Sequence, residues 1–305
     1  MTELLGIILN VISPVFIVAG LGALVGRVFK PDPRTLSVYL IYLFSPALVY
    51  DGLASSELPT DQLLRVGAVV IGVALVMALI SYGLARLQNL SQRMTGAFVL
   101  SIILVNAANY GIPLNTFAFG AVGEQTAITY YAISSIVGSV LGVYFASMGS
   151  VPTLQAVGNI FRVPITYAAL LGFVVNLADI SVPLAVDRAV SVAAEASVPL
   201  MLALLGLQLA NISIEGNIRP MLVAVGAKLL IAPLVAVPLA LLLGLQGVPY
   251  AVSVIESSMP TAVMSIALAT QFGSDAAFTA AVTLISTLAS ILTLSVLILI
   301  LQNTI

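Results

Sequence analysis

Apolar residues run along this chain in long stretches, each closed by a short polar break, and the pattern continues from one end to the other. An α-helix needs about 20 apolar residues to cross the hydrocarbon core of a bilayer. On that measure the pattern predicts ten spans, at roughly 4–29, 35–55, 61–85, 94–119, 125–148, 153–176, 184–210, 218–244, 248–271 and 275–301. The breaks read KPDPR, SSELP, LQNLSQR, GAVGEQ, GSVPT, ADISVP, NISIEGN, LQGVP and FGSDA, rich in the residues that end helices. No break is long enough to form a domain. The first apolar run has no basic flank and exceeds a signal peptide's core of about 7–15 residues, so it is expected to stay as a span.

Composition turns this pattern into a fold class. Of 305 residues, 61% are hydrophobic and 7% charged, where a soluble domain carries about a quarter charged residues. The expectation is an all-α polytopic membrane protein. With no Cys and no His, thiol nucleophiles, imidazole bases, disulfides and thiolate or imidazole metal sites are excluded. No cofactor and no metal are expected, and an enzyme would be left with a Ser–Lys site that no motif supports. A net charge of −2 without a basic cluster gives no reason to expect nucleic acid.

Basic residues orient the spans. Arg27, Lys30 and Arg34 lie between spans 1 and 2, Arg86 and Arg93 between 3 and 4, Arg162 at the start of span 6, and Arg219 between 7 and 8. The opposite loops hold Asp51, Glu57, Asp61, Glu124, Asp179 and Asp187, against Arg65 and Arg188. The expected location is a prokaryotic plasma membrane, with both termini extracytoplasmic.

Five spans lie in residues 1–148 and five in 149–305. An odd number turns the second group upside down relative to the first, as in an inverted repeat. FSPALVY on span 2 is answered by ASVPLML on span 7, and NYGIPL on span 4 by ESSMPTA on span 9; chance scatter of prolines is the competing explanation. A helical proline cannot bond the carbonyl four residues earlier. Pro113 therefore frees the carbonyl of Asn109, Pro260 that of Glu256, Pro199 that of Glu195 and Pro46 that of Tyr42. Broken helices in corresponding positions of inverted halves point to a transporter binding site. Half-helix N-termini suit an anion and freed carbonyls a cation. Asn106, Asn109 and Pro113 mark the first break, and Ser257, Ser258 and Pro260 the second. The alternative is a simple kink whose amides bond neighbouring helices.

Three charged residues fall inside spans: Glu195 on span 7, Lys228 on span 8 and Glu256 on span 9. Intramembrane ionisable residues are costly and mark function by default. Glu195 and Lys228 are at matching depth, so they can form an ion pair, coupling or static. Glu256, one turn before Pro260, is the first candidate for binding a coupling ion, H⁺ or Na⁺. Gly22-x₃-Gly26 and Gly138-x₃-Gly142 permit close helix approach and are read as packing within the chain rather than a homodimer seam. The homodimer itself stays an open expectation. Tyr39, Tyr42 and Tyr50 on span 2 are pocket candidates or interface anchors.

FSPALVY, NAANYGIPL…FG, SVPLMLALLGLQL, KLLIAPL and MPTAVMSIALATQFGSD…VTLISTLASILTL together resemble the auxin efflux carrier family, which includes plant PIN-formed and malate-permease-like carriers. The resemblance runs the full length. It implies two inverted five-span repeats, spans 4 and 9 crossing at their prolines, and a scaffold (spans 1, 2, 6, 7) beside a transport domain (spans 3–5, 8–10). The same crossover fold occurs in bile-acid and sodium–proton transporters. The resemblance places substrate beside Asn109, Tyr110 and Pro113 of span 4 and Ser258 and Pro260 of span 9, with Ser45 to Tyr50 of span 2 contributing. The long loop of the plant carriers has no room in SMGSVPT, so their substrate and control are not carried over.

The function expected is a secondary transporter moving a small organic anion, auxin-like or dicarboxylate-like, by elevator-type alternating access. The alternatives are a sodium-coupled symporter of the bile-acid type and, from another class, a membrane sensor or channel.

Overall fold

A computed structural model of the protein describes residues 2–147, 164–210, 212–214 and 216–305. In chain order the helices are α1 (Glu3–Phe29), α2 (Pro33–Ala54), α3 (Thr60–Leu87), α4 (Gln92–Ile103), α5 (Ala107–Ala146) and α6 (Pro164–Leu177). They continue with α7 (Leu184–Leu209), α8 (Ile218–Leu242), α9 (Gly247–Ser257), α10 (Met264–Phe272) and α11 (Ala276–Gln302). Hydrocarbon offers the backbone no hydrogen bonds, so each crossing must satisfy its own polar groups, and a helix does so.

Among the described residues seven helices are long and apolar enough to cross a membrane: α1, α2, α3, α5, α7, α8 and α11. The ten expected spans are not matched one for one. Spans 4 and 9 are interrupted, which leaves α4, α9 and α10 as short pieces. Spans 4 and 5 run together in α5, which turns at Gly120, whose φ of 63° suits a residue without a β-carbon. The start of span 6, with the GSVPT break and Arg162, lies outside the described residues, as does the boundary between 148 and 149.

The prolines are accommodated by one local device. Four helices widen into a π-turn, at Ile8–Ile12, Leu40–Phe44, Ala107–Gly111 and Ala227–Ile231. Each is followed by a proline in the first turn of the resumed α-helix: Pro14, Pro46, Pro113 and Pro233. Widening the turn moves the preceding carbonyls away from the ring and from the missing N–H.

Small residues set the closest packing. A β-carbon at Gly206 on α7 would overlap the Ala19 carbonyl of α1, and one at Gly22 would overlap the Ala203 carbonyl. Gly26 is filled by Leu207 in the same way. The Gly22-x₃-Gly26 pattern thus packs within the chain, as expected. Gly172 on α6 lies against the Tyr50 carbonyl of α2, and Asn176 donates to the carbonyls of Ala54 (3.1 Å) and Ser56 (2.9 Å) at the end of α2. Gly138 and Gly142 on α5 face Leu104 and Leu268, the flanks of the two interruptions.

Candidate functional site

Both interruptions sit deep in the protein, and they meet. After α4 the chain runs extended through Leu104, and α5 begins at Ala107; after α9 it is irregular until α10. Val105 and Thr261 form an antiparallel bridge. The Asn106 N–H donates to the Pro260 carbonyl (2.9 Å) and the Ala262 N–H to the Leu104 carbonyl (3.0 Å). Each break therefore satisfies backbone groups of the other, which hydrocarbon would leave unpaired at a cost of several kcal/mol. Side chains finish the joint. Thr261 Oγ1 donates to the Ser101 carbonyl (2.6 Å), its N–H donates to Ser286 Oγ of α11 (3.2 Å), and Lys228 Nζ donates to the Ile102 carbonyl (2.8 Å).

A cavity of about 1580 Å³ ends on this joint. Asn106, Asn109, Lys228 and Ser257 line its deep end, Ser45 and Tyr131 a wall. It extends to Pro33, Ser213 and Gln271, so it opens toward the α1–α2, α7–α8 and α10–α11 connections. Asn106 is buried, and its side-chain Nδ2 has no hydrogen-bond partner among the described residues. The first N–H groups of any helix lack intrahelical acceptors, and the starts of α5 and α10 border the cavity through Ala108, Asn109 and Met264.

The pattern of a membrane transport protein family matches residues 153–298. An uncharacterized transporter of Methanothermobacter thermautotrophicus is 24% identical over 270 residues, covering 88% of this chain and 89% of that protein. An uncharacterized transporter of Methanocaldococcus jannaschii is 23% identical over 288 residues, covering 88% and 90%. The second half of the chain is thus similar to this membrane transport protein family, and most of its length to two archaeal transporters. The auxin efflux carrier resemblance agrees with it.

The residues expected at the site divide into two groups. Asn106, Asn109, Ser257, Ser45 and Lys228 line the cavity. Tyr110, Pro113, Ser258, Pro260, Tyr50, Glu195 and Glu256 do not. Tyr110 points into the core, edge-on to Phe16 with ring centroids 5.6 Å apart. Ser258 turns back to the Val254 carbonyl (2.7 Å).

Three expectations need correction. The break on span 4 is at Leu104–Asn106 and not at Pro113, because a proline fits the first turn of a helix and Val105 has a strand partner to meet. The Glu195–Lys228 pair is not formed: Glu195 is exposed, Lys228 bonds the Ile102 carbonyl, and among the described residues the ion pair present is Arg65–Asp61. The Glu256 carbonyl, expected to be free, accepts from the Met259 N–H (3.2 Å).

Glu256 lies on the core side of the joint. Its side chain is fully buried, and Oε1 accepts from Asn115 Nδ2 (2.9 Å), which also donates to the Gly111 carbonyl (3.0 Å). Glu256 Oε2 and Asn115 Oδ1 have no partner among the described residues. Asn115 was absent from the expected set, although it is the third amide of the NAANYGIPLN stretch. Thr261 and Ser286 were also missed, since hydroxyls on membrane helices usually bond their own backbone.

Proposed function

We propose that the protein is a secondary transporter for a small organic anion, bound where the two interrupted helices meet and carried by elevator-type alternating access. The observation that carries this reading is the unpartnered Asn106 amide at the deep end of the cavity, beside the start of α5. Buried donors without acceptors, next to a positive helix end, suit an anion. Asn109 and Ser257 add polar contacts and Ser45 a wall; Tyr110, Pro113, Ser258, Pro260 and Tyr50 support the shape from behind. α4 with the first part of α5, and α9 with α10, are read as single crossings that intersect, which restores ten spans in two inverted halves. On this reading α1, α2, α6 and α7 form the scaffold and α3–α5 with α8–α11 the moving part. The positive-inside assignment makes the cavity's mouth cytoplasmic and both termini extracytoplasmic.

Glu256 and Asn115 support ion coupling. Two buried oxygens without donors suit a proton on the carboxylate or a Na⁺ between them, hard-oxygen chemistry in either case. Glu195, exposed, has no part in it. Na⁺ dependence would favour the bile-acid-type symporter; pH dependence alone favours proton coupling.

The test is counterflow of carboxylates in proteoliposomes, with and without Na⁺ and at two pH values. Asn106→Ala and Asn109→Ala should each abolish saturable counterflow while inserting normally, and Glu256→Gln should remove the ion dependence. Wild-type rates in both asparagine variants would sink the site. Flux that never saturates would favour the channel alternative.

A further inference from the structure

We propose that Lys228 is the charge anchor for the transported anion, binding its carboxylate directly and so setting the preference for anions over neutral solutes. The proposal rests on the transport reading above and adds a residue to it. Lys228 is the one charged side chain lining the cavity among the described residues. It is 1% exposed and among the described residues makes a single hydrogen bond, to the Ile102 carbonyl (2.8 Å). An ammonium has three donors, so two remain to be filled. The described residues place no carboxylate within ion-pairing distance of it, and a buried cation left without an anion is strongly disfavoured.

Its position follows from the sequence. The π-turn Ala227–Ile231, set by Pro233, includes Lys228 and presents its side chain to the end of α4. Four residues beyond Ile102, Asn106 carries the orphan amide. An ammonium with donors to spare, an unpartnered amide and the start of α5 thus all line the deep end of the cavity. A carboxylate brings two oxygens with about four lone-pair sites and no donor, which is the complement of that set.

The experiment compares binding of benzoate and its neutral counterpart benzamide to the detergent-purified full chain, by equilibrium dialysis and thermal shift. Wild type should bind benzoate and exclude benzamide. Lys228→Met should weaken benzoate ten-fold or more and leave benzamide unchanged. Lys30→Met, which removes the exposed lysine, should change neither. Unchanged benzoate affinity in Lys228→Met overturns the anchor alone and leaves the anion reading standing. No benzoate binding by wild type overturns both. If Lys228→Met does not fold, Lys228→Arg decides: the kept charge should retain benzoate within ten-fold and still exclude benzamide. Loss of that preference in folded protein overturns the anchor.

Discussion

Gly111 shows how a single missing β-carbon shapes the site. A β-carbon there would overlap both carboxylate oxygens of Glu256, and the carboxylate, fully buried, has no solvent to retreat into. Overpacking of this kind costs about 1–3 kcal/mol. Gly111→Ala should therefore lower the melting temperature, and Glu256→Ala should lower it too by emptying a buried volume and removing one of the two acceptors of the Asn115 amide. The double variant should be more stable than the sum of the two losses, because the added methyl then enters space the carboxylate has left. Contacting residues show such coupling and distant ones do not; strictly additive losses would mean that the two do not touch. Gly111 sits in the NYGIPL segment that marks span 4 in the sequence. Its partner lies in the other half of the chain, and no local pattern reveals a contact of that range.

Among the elements, the π-turns make one helix depend on another. Ser197 on α7 donates to the Phe44 carbonyl (2.8 Å), at the end of the π-turn that accommodates Pro46 on α2. This joins FSPALVY to ASVPLML, the two segments that the sequence paired as counterparts. The hydroxyl also reaches the Ala193 carbonyl of its own helix (3.1 Å), and removing it deletes the bond between helices, at about 0.5–1.5 kcal/mol. Ser197→Ala should lower the thermal midpoint clearly, whereas Ser139→Ala, whose hydroxyl bonds its own helix at Ser135 (2.7 Å), should barely move it. Equal effects would reduce Ser197 to an ordinary self-bonded serine. Prolines were thus legible as markers of special backbone, and Pro260 does fall within its break. They were misleading for span 4. There the position of the gap is decided by where Thr261 can pair with Val105, which is information held in the other half.

At the scale of the molecule, the close α1–α7 and α2–α6 contacts set one group of helices apart from the pieces that surround the joint, and the elevator reading requires the two groups to slide. Gly52 on α2 abuts Ile128 on α5, across the proposed sliding surface, while Gly26 on α1 abuts Leu207 on α7, inside the proposed scaffold. The chain has no cysteine, so pairs can be introduced on a clean background. A disulfide in Gly52→Cys/Ile128→Cys should arrest counterflow until a reductant is added. One in Gly26→Cys/Leu207→Cys should leave the rate near that of its own reduced form, since both residues move together. Each pair is judged against itself after reduction, which removes the packing cost of replacing a glycine from the comparison. Full transport through an oxidised Gly52→Cys/Ile128→Cys bridge would mean that α2 and α5 do not move past one another. Access would then have to alternate by rearrangement around the joint, leaving the Asn106 and Lys228 site in place while the elevator is given up.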